Sequence, residues 1–233
     1  MTRARAARGA AALGALLVVA GCAGKPPEIA RVFARVLYTY DTATQTTSES
    51  LGVFLVATDP DGLENLSAFY VIDDDAELYW KVDKTAWITT SAEGETWVGT
   101  TSLAMPDSSP FPAGTYRIVL QDVGGETVEQ TVTIPERSVR ASKATFPTSG
   151  VHAGAISAGR VSGAYDVWVY GKDGKFLASW GVAGPTHSLP LQTVTAALPA
   201  LADGFTWRVF AWDEKAGYGV VAGPYATGAL SRR

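Results

Sequence analysis

The residues best suited to hold a metal ion lie in one short acidic segment. Asp59-Pro60-Asp61-Gly62 places two carboxylates on a tight turn, as oxygen-rich calcium loops do. A helix-flanked calcium loop also requires a glutamate at its twelfth position, and counting from Asp59 that position is Tyr70. We therefore predict a β-turn between two strands, with Pro60 fixing φ and Gly62 adopting a positive φ. Asp59 and Asp61 stay weak candidates for metal ligands, and no cofactor is expected.

The sequence carries no catalytic signature. His152 and His187 are not spaced as a zinc-binding pair. The hydrolase elbow Gly-x-Ser-x-Gly is absent, since the segment from Gly154 to Gly159 has the wrong spacing. Glycine-rich phosphate loops are absent too. We therefore expect a protein that is not an enzyme.

Four aromatic residues close together in the sequence are candidates for ligand binding. Tyr79, Trp80, Trp87 and Trp97 could stack on sugar rings or form the centre of a protein interface if they share an exposed face. The alternative is that they fill the core. Trp168, Trp180, Trp207 and Trp212, which lie in the second half of the chain, are expected to be core residues.

The N-terminus is typical of an export signal. Arg3, Arg5 and Arg8 precede an apolar run from Ala10 to Ala20, which is too short to span a membrane as a helix. Val19-Ala20-Gly21-Cys22 follows, and Cys22 is the single cysteine of the chain. A lone thiol in an exported protein calls for an explanation, because it has no internal partner for a disulfide.

Val-Ala-Gly-Cys resembles the lipobox of bacterial lipoproteins. The resemblance implies cleavage of a signal peptide, residues 1–21, and attachment of acyl chains such as palmitate to Cys22. Two or three acyl chains anchor a protein stably in a membrane. Residues 22–28 would then be a tether. In the lipoproteins that this sequence resembles, an aspartate directly after the lipidated cysteine often signals retention in the inner membrane. This chain has Ala23 at that position, so the resemblance favours the outer membrane. The expected location is therefore the bacterial cell envelope, including its periplasmic side.

Charge excludes one class of partner. Without Arg3, Arg5 and Arg8, the chain has 16 Lys and Arg against 23 Asp and Glu, a formal charge of −7. Nucleic-acid binding needs clustered basic residues, so no nucleic-acid partner is expected.

The remainder of the chain reads as β-strands between turns. Tyr116, Ile118 and Leu120 alternate with polar residues, and Gly124-Gly125 predicts a hairpin turn into the next strand. Asp173-Gly174 predicts a second hairpin. We place strands of the first half near 30–40, 51–58, 66–72, 77–82, 96–104, 115–122 and 126–134.

The strand pattern repeats after about 90 residues, which is the length of one small sandwich domain. We therefore predict an all-β fold of two tandem antiparallel β-sandwich domains, residues 29–135 and 136–228, after a cleaved signal peptide. Their lengths and strand order resemble immunoglobulin-like and fibronectin type III domains. A single elongated sandwich is the alternative. The expected function is that of a non-enzymatic binding or structural module of the envelope, with a membrane, an envelope protein or a glycan as partner. The alternative is a carbohydrate-binding module that uses exposed aromatic residues.

Overall fold

The computed structural model describes residues 25–227, except residues 93, 138, 202, 203, 214 and 215. This part of the chain is almost entirely β-structure, with one short α-helix, α1 (Leu191–Ala197). No helix among these residues has the length and hydrophobicity that a membrane crossing requires. The strands are β1 (Glu28–Asp41), β2 (Thr46–Thr58), β3 (Leu66–Asp73), β4 (Leu78–Asp83), β5 (Ile88–Ala92), β6 (Glu95–Leu103), β7 (Gly114–Asp122), β8 (Thr127–Ile134), β9 (Thr148–His152), β10 (Ala155–Gly159), β11 (Tyr165–Tyr170), β12 (Phe176–Val182), β13 (Leu189–Pro190), β14 (Thr206–Asp213) and β15 (Tyr218–Ala226).

Eight strands from both halves of the chain form one large sheet. Its order is β12-β11-β14-β15-β1-β2-β6-β5. The halves join where β1 pairs with β15 in parallel, from Leu37 opposite Gly219 to Asp41 opposite Gly223. The other neighbouring pairs in this sheet are antiparallel.

A small sheet covers one face of the large sheet in each half. In the first half it has the order β4-β3-β7-β8, and in the second half the order β13-β10-β9. Alternate residues of the covering strands point into the core, as Tyr116, Ile118 and Leu120 of β7 show. In the second half, the indole N–H of buried Trp207 donates to the Ser149 hydroxyl of β9 at 2.9 Å. The architecture is therefore that of sheets packed face to face, as in β-sandwiches.

The sequence pattern predicted most of these strands and both hairpins. The seven strands of the first half agree with β1, β2, β3, β4, β6, β7 and β8 to within a few residues, and β7–β8 and β11–β12 pair as predicted. Strand β5 was not predicted. The segment at Pro60 is the expected β-turn, because the Gly62 N–H donates to the Asp59 carbonyl at 2.9 Å and Gly62 has a φ of 98°.

The predicted domain boundary at residues 135 and 136 falls just after β8 ends at Ile134, in the connection that leads to β9. Although the halves follow one another along the chain, they share the large sheet. The division into two domains with these boundaries stays a prediction.

Candidate functional site

The two faces of the large sheet are chemically different. On β14, Trp207 and Val209 point into the core, whereas Arg208, Phe210 and Trp212 point to the opposite face. Strand β11 has the same alternation, with Val167 and Val169 inside. Since paired residues of adjacent strands share a face, the ladder register extends this second face across the whole sheet.

Aromatic rings from five strands populate this second face. The Trp168 and Phe210 rings stack with centroids 5.2 Å apart and planes 10° apart. Phe33 is opposite Phe54 in the β1–β2 ladder, and 42% of its surface is exposed. These side chains form what we call the aromatic surface: Phe33, Phe54, Trp97, Trp168, Tyr170, Phe210 and Trp212.

Glycines let the rings lie flat against the strands. A Cβ on Gly219 would lie 2.6 Å from a ring carbon of Phe210 and 2.8 Å from a methyl group of Leu37. A Cβ on Gly99 would lie 2.7 Å from the Phe54 ring and 2.1 Å from a backbone oxygen. The absence of these side chains is therefore a condition for the packing of the aromatic surface.

The sheet curls around this face and forms a groove. A pocket of about 330 Å³ is lined by Ile88 and Thr90 of β5 together with Phe176 and Ser179 of β12, the two edge strands. In a flat sheet, seven strand spacings would hold these edges roughly 34 Å apart. Because one pocket touches both edges, the sheet is strongly bent, with the aromatic surface on its concave side. Phe54, Trp168 and Tyr170 complete the lining with Thr101 and Gly174.

Three arginines lie over rings of the aromatic surface. The Arg31 guanidinium is 5.5 Å from the Trp97 centroid, and that of Arg208 is 5.9 Å from Tyr170. Arg35 contacts two rings, at 4.7 Å from Phe33 and 5.2 Å from Trp212. Cation–π contacts of this kind hold the guanidinium groups against the aromatic surface.

The arginines differ in their acidic partners. Arg31 forms an ion pair with Glu95, and Arg208 lies 3.9 Å from an Asp41 carboxylate oxygen. Within the described part of the chain, Arg35 has no carboxylate within 4.0 Å, and it donates to the Ala34 carbonyl. Arg35 therefore supplies positive charge near the middle of the aromatic face of the large sheet.

Burial changes the ionisation of two side chains on this face. Desolvation raises the pKa of the Tyr170 phenol, while the nearby Arg208 acts weakly in the opposite direction. Desolvation also raises the pKa of the Asp166 carboxyl. Both groups therefore favour their neutral forms more than they would in water.

The four aromatic residues singled out in the sequence do not form one row. Tyr79 is 72% exposed on the edge strand β4 of the small sheet. Trp80 and Trp87 pack against the core, and their indole N–H groups donate to the Ala104 and Val82 carbonyls. Only Trp97 lies on the aromatic surface. Among the four tryptophans of the second half, Trp207 is buried, whereas Trp168, Trp180 and Trp212 are partly exposed.

The acidic turn uses its buried carboxylate internally. Asp59 is 8% exposed, and its carboxylate accepts from the Asp61 backbone N–H at 2.8 Å and the Asn65 amide at 3.3 Å. The same amide lies 3.4 Å from the buried Asp122 carboxylate, while the Asp61 side chain is exposed. In the described residues no group of three or more His, Cys, Asp or Glu side chains is placed to hold a metal. Cys22 and the predicted signal peptide lie outside the described residues.

The aromatic surface itself was not found from the sequence, although a signal for it exists. Strand β14 reads Thr-Trp-Arg-Val-Phe-Ala-Trp, with large apolar residues on both faces. A strand with one solvent-exposed face would alternate between apolar and polar residues. Aromatic residues on both faces therefore indicate a second packed or binding face.

Comparisons with known proteins give no family. No protein-family model and no curated protein matches the chain. Among solved structures it is similar to dimeric latent PorU from Porphyromonas gingivalis, with a TM-score of 0.32 and 12% identity over 87% of this chain and 20% of PorU. It is also similar to Tp47, the 47-kilodalton lipoprotein of Treponema pallidum, with a TM-score of 0.35 and 12% identity over 85% of this chain and 50% of Tp47. This chain thus spans half or less of either protein, and likenesses this distant carry no argument about function.

Proposed function

We propose that this chain is a lipid-anchored protein of the bacterial cell envelope that binds a partner without chemical conversion, and that the aromatic surface is its binding site. The observation that carries the proposal is the curled sheet face, on which rings from both halves line one groove. Exposed contiguous apolar surface of this kind is typical of interaction sites. The proposal includes a signal peptide cleaved before Cys22 and two tandem immunoglobulin-like domains, residues 29–135 and 136–228.

The described residues that line the groove supply aromatic rings, an aliphatic side chain and hydroxyl groups, which suit binding. Binding energy comes mainly from aromatic and arginine side chains that are partly desolvated before the partner arrives. Here arginines already rest on rings, so little side-chain entropy is lost on binding. A preformed groove lined by aromatic rings, with the Arg208 guanidinium over the lining ring of Tyr170, therefore favours recognition over chemistry.

A carbohydrate is the second candidate partner, for a specific reason. The Trp168 and Phe210 rings lie nearly parallel, and apolar sugar faces stack on such rings. Thr90, Thr101 and Ser179 line the same groove and offer hydroxyl groups for hydrogen bonds to a sugar.

The location favoured for the protein, the outer membrane, stays part of the proposal.

The anchor is tested by labelling and fractionation. Cells that express the full chain are fed an alkyne analogue of palmitate, and the protein is compared with its Cys22→Ala variant. We expect label and membrane association for the native chain, and neither for the variant. Label on Cys22→Ala, or a native chain that stays in the soluble fraction, would contradict the anchor.

The binding site is tested with two matched aromatic truncations. Phe176→Ala removes a ring from the groove, whereas Tyr79→Ala removes a more exposed ring from a different sheet. Each variant and the native domain are titrated with purified envelope fragments and with β-linked glucose and N-acetylglucosamine oligosaccharides, by tryptophan fluorescence. We expect weaker binding for Phe176→Ala only. Equal binding by all three proteins would refute the assignment of the groove, and binding of the oligosaccharides would identify the second candidate.

A further inference from the structure

A second pocket on the concave face of the large sheet has a different character from the groove. Its volume is about 410 Å³, and it lies between β11, β12 and β14. Phe210 and Trp212 form its aromatic wall, while alanine, valine and glycine residues form most of the remainder. Among the described residues that line the pocket, Asp166 is the one charged side chain.

The Asp166 carboxylate is half-buried and, within the described part of the chain, makes neither a hydrogen bond nor an ion pair. It faces Gly181 of β12, where a Cβ would lie 3.5 Å from the carboxylate oxygen Oδ1. A larger side chain at that position would cover the carboxylate. The strand pairing therefore leaves this acidic group open to the pocket.

Two basic side chains on the same face of the sheet have contacts other than Asp166. Strand β14 presents Arg208, whose guanidinium lies 3.9 Å from an Asp41 carboxylate oxygen. Strand β1 presents Arg35, which rests on the Trp212 ring at 5.2 Å. Strand β12 presents Gly181, which has no charge. Among the described residues, no cation forms an ion pair with Asp166, and desolvation raises the pKa of its carboxyl.

We propose that this pocket binds an alkylammonium group, with Asp166 as its counter-ion and the Phe210 and Trp212 rings as its walls. An ammonium ion is attracted to a carboxylate and to the faces of aromatic rings, and its alkyl stem matches the apolar lining. A neutral sugar fits less well, because one carboxylate cannot satisfy many hydroxyl groups. The inference goes beyond the proposed function and depends neither on the lipid anchor nor on the occupant of the groove.

The test uses three probes that share a four-carbon chain: n-butylamine, Nα-acetyl-lysine amide, which carries the same alkylammonium stem on a peptide-like unit, and the neutral n-butanol, which matches butylamine in size. Binding to the folded domain is followed by calorimetry and by tryptophan fluorescence. We expect both amines to bind to the native domain. Asp166→Asn should lower their affinity by about tenfold or more, since a charge-assisted contact is lost. Asp75→Asn is the matched control, because it removes the same charge from an exposed turn. Gly181→Val is a second variant, which keeps Asp166 and obstructs its carboxylate.

The two amines distinguish the sources of the cation. Tighter binding of the lysine derivative indicates a polypeptide side chain, and tighter binding of butylamine indicates a free amine. Lowering the pH through the raised pKa of Asp166 should release either amine from the native protein, since protonation removes the negative charge. The inference is overturned if butanol binds as tightly as butylamine, if Asp166→Asn binds the amines unchanged, or if no amine binds saturably.

Discussion

A buried ion pair in the connection between the halves permits a quantitative test of the packing. Arg137 follows β8 and donates to the Glu49 carboxylate at 2.9 Å and to the Phe111 carbonyl at 2.6 Å. Glu49 also accepts from the Phe111 N–H at 2.9 Å. The Arg137 and Glu49 side chains are 6% and 8% exposed. The change we consider is Arg137→Met, which retains most of the side-chain volume and removes the charge.

The expected cost follows from the group that is left behind. Without Arg137, the Glu49 carboxylate is buried with a single backbone donor, and breaking one side of a buried pair costs about 3–5 kcal/mol. Glu49→Met should cost a similar amount, since it leaves the guanidinium buried. The double variant leaves no buried charge, but the two Phe111 backbone groups lose their partners at about 1–3 kcal/mol each. With central losses of about 4 kcal/mol for each single variant and about 4 kcal/mol for the double variant, the double variant should be about 4 kcal/mol more stable than the sum of the single losses predicts.

The assay is urea unfolding of the native domain, the two single variants and the double variant, with circular dichroism as the readout. Equal m-values are required, because a changed m-value would indicate a different unfolding transition. Additive losses, to within about 0.5 kcal/mol, would show that the charges act independently and would refute the reasoning. A loss below about 1 kcal/mol for Arg137→Met would refute it as well.

Two further predictions concern the aromatic surface and the core. Gly219→Ala should destabilise the domain by about 1–3 kcal/mol, because its Cβ would displace Phe210 and Leu37. Gly163→Ala should have little effect, because Gly163 lies in open space. Denaturant unfolding compares the two variants, and equal losses of stability would contradict the packing argument. Burial raises the pKa of Tyr116 far above its ordinary value, so the stability that its neutral phenol contributes is complete below about pH 10 and is lost as the pH rises further. Absorbance at 295 nm should show the Tyr116 phenol ionising only when the domain unfolds, and Tyr116→Phe should remove this part of the absorbance change. Ionisation of Tyr116 in the folded domain near the pKa of a free tyrosine would contradict the prediction.

Local patterns predicted the strands well because they depend on neighbouring residues. The alternation in β7 and the Asp173-Gly174 turn carry their structural information within a few positions. Strand β5 escaped prediction because Ile-Thr-Thr-Ser-Ala has one large apolar residue and lies at a sheet edge. The segment is a strand because it pairs with β6, and its own composition does not indicate this pairing.

Long-range pairing was beyond local reasoning. The parallel contact between β1 and β15 joins residues about 180 positions apart in the sequence. No local residue pattern in either strand indicates a partner at that separation. The arrangement of the aromatic surface depends on this contact, because it places β14 and β1 in one sheet. Trp97 and Trp168 could therefore be recognised as aromatic residues, but their common face could not be predicted.

The shared sheet also connects stability with recognition. The described residues that line the groove come from β2, β5 and β6 of the first half and from β11, β12 and their connecting turn in the second, and in the large sheet the β1–β15 contact joins the two halves. Binding there must favour conformations in which that contact is intact, because a ligand stabilises the state to which it binds. The lipid anchor that we propose would leave this relation unchanged, since residues 22–28 precede the pairing of β1 with β15. The recognition that we propose is thus a property of the joined halves, because the described residues that line the groove come from both.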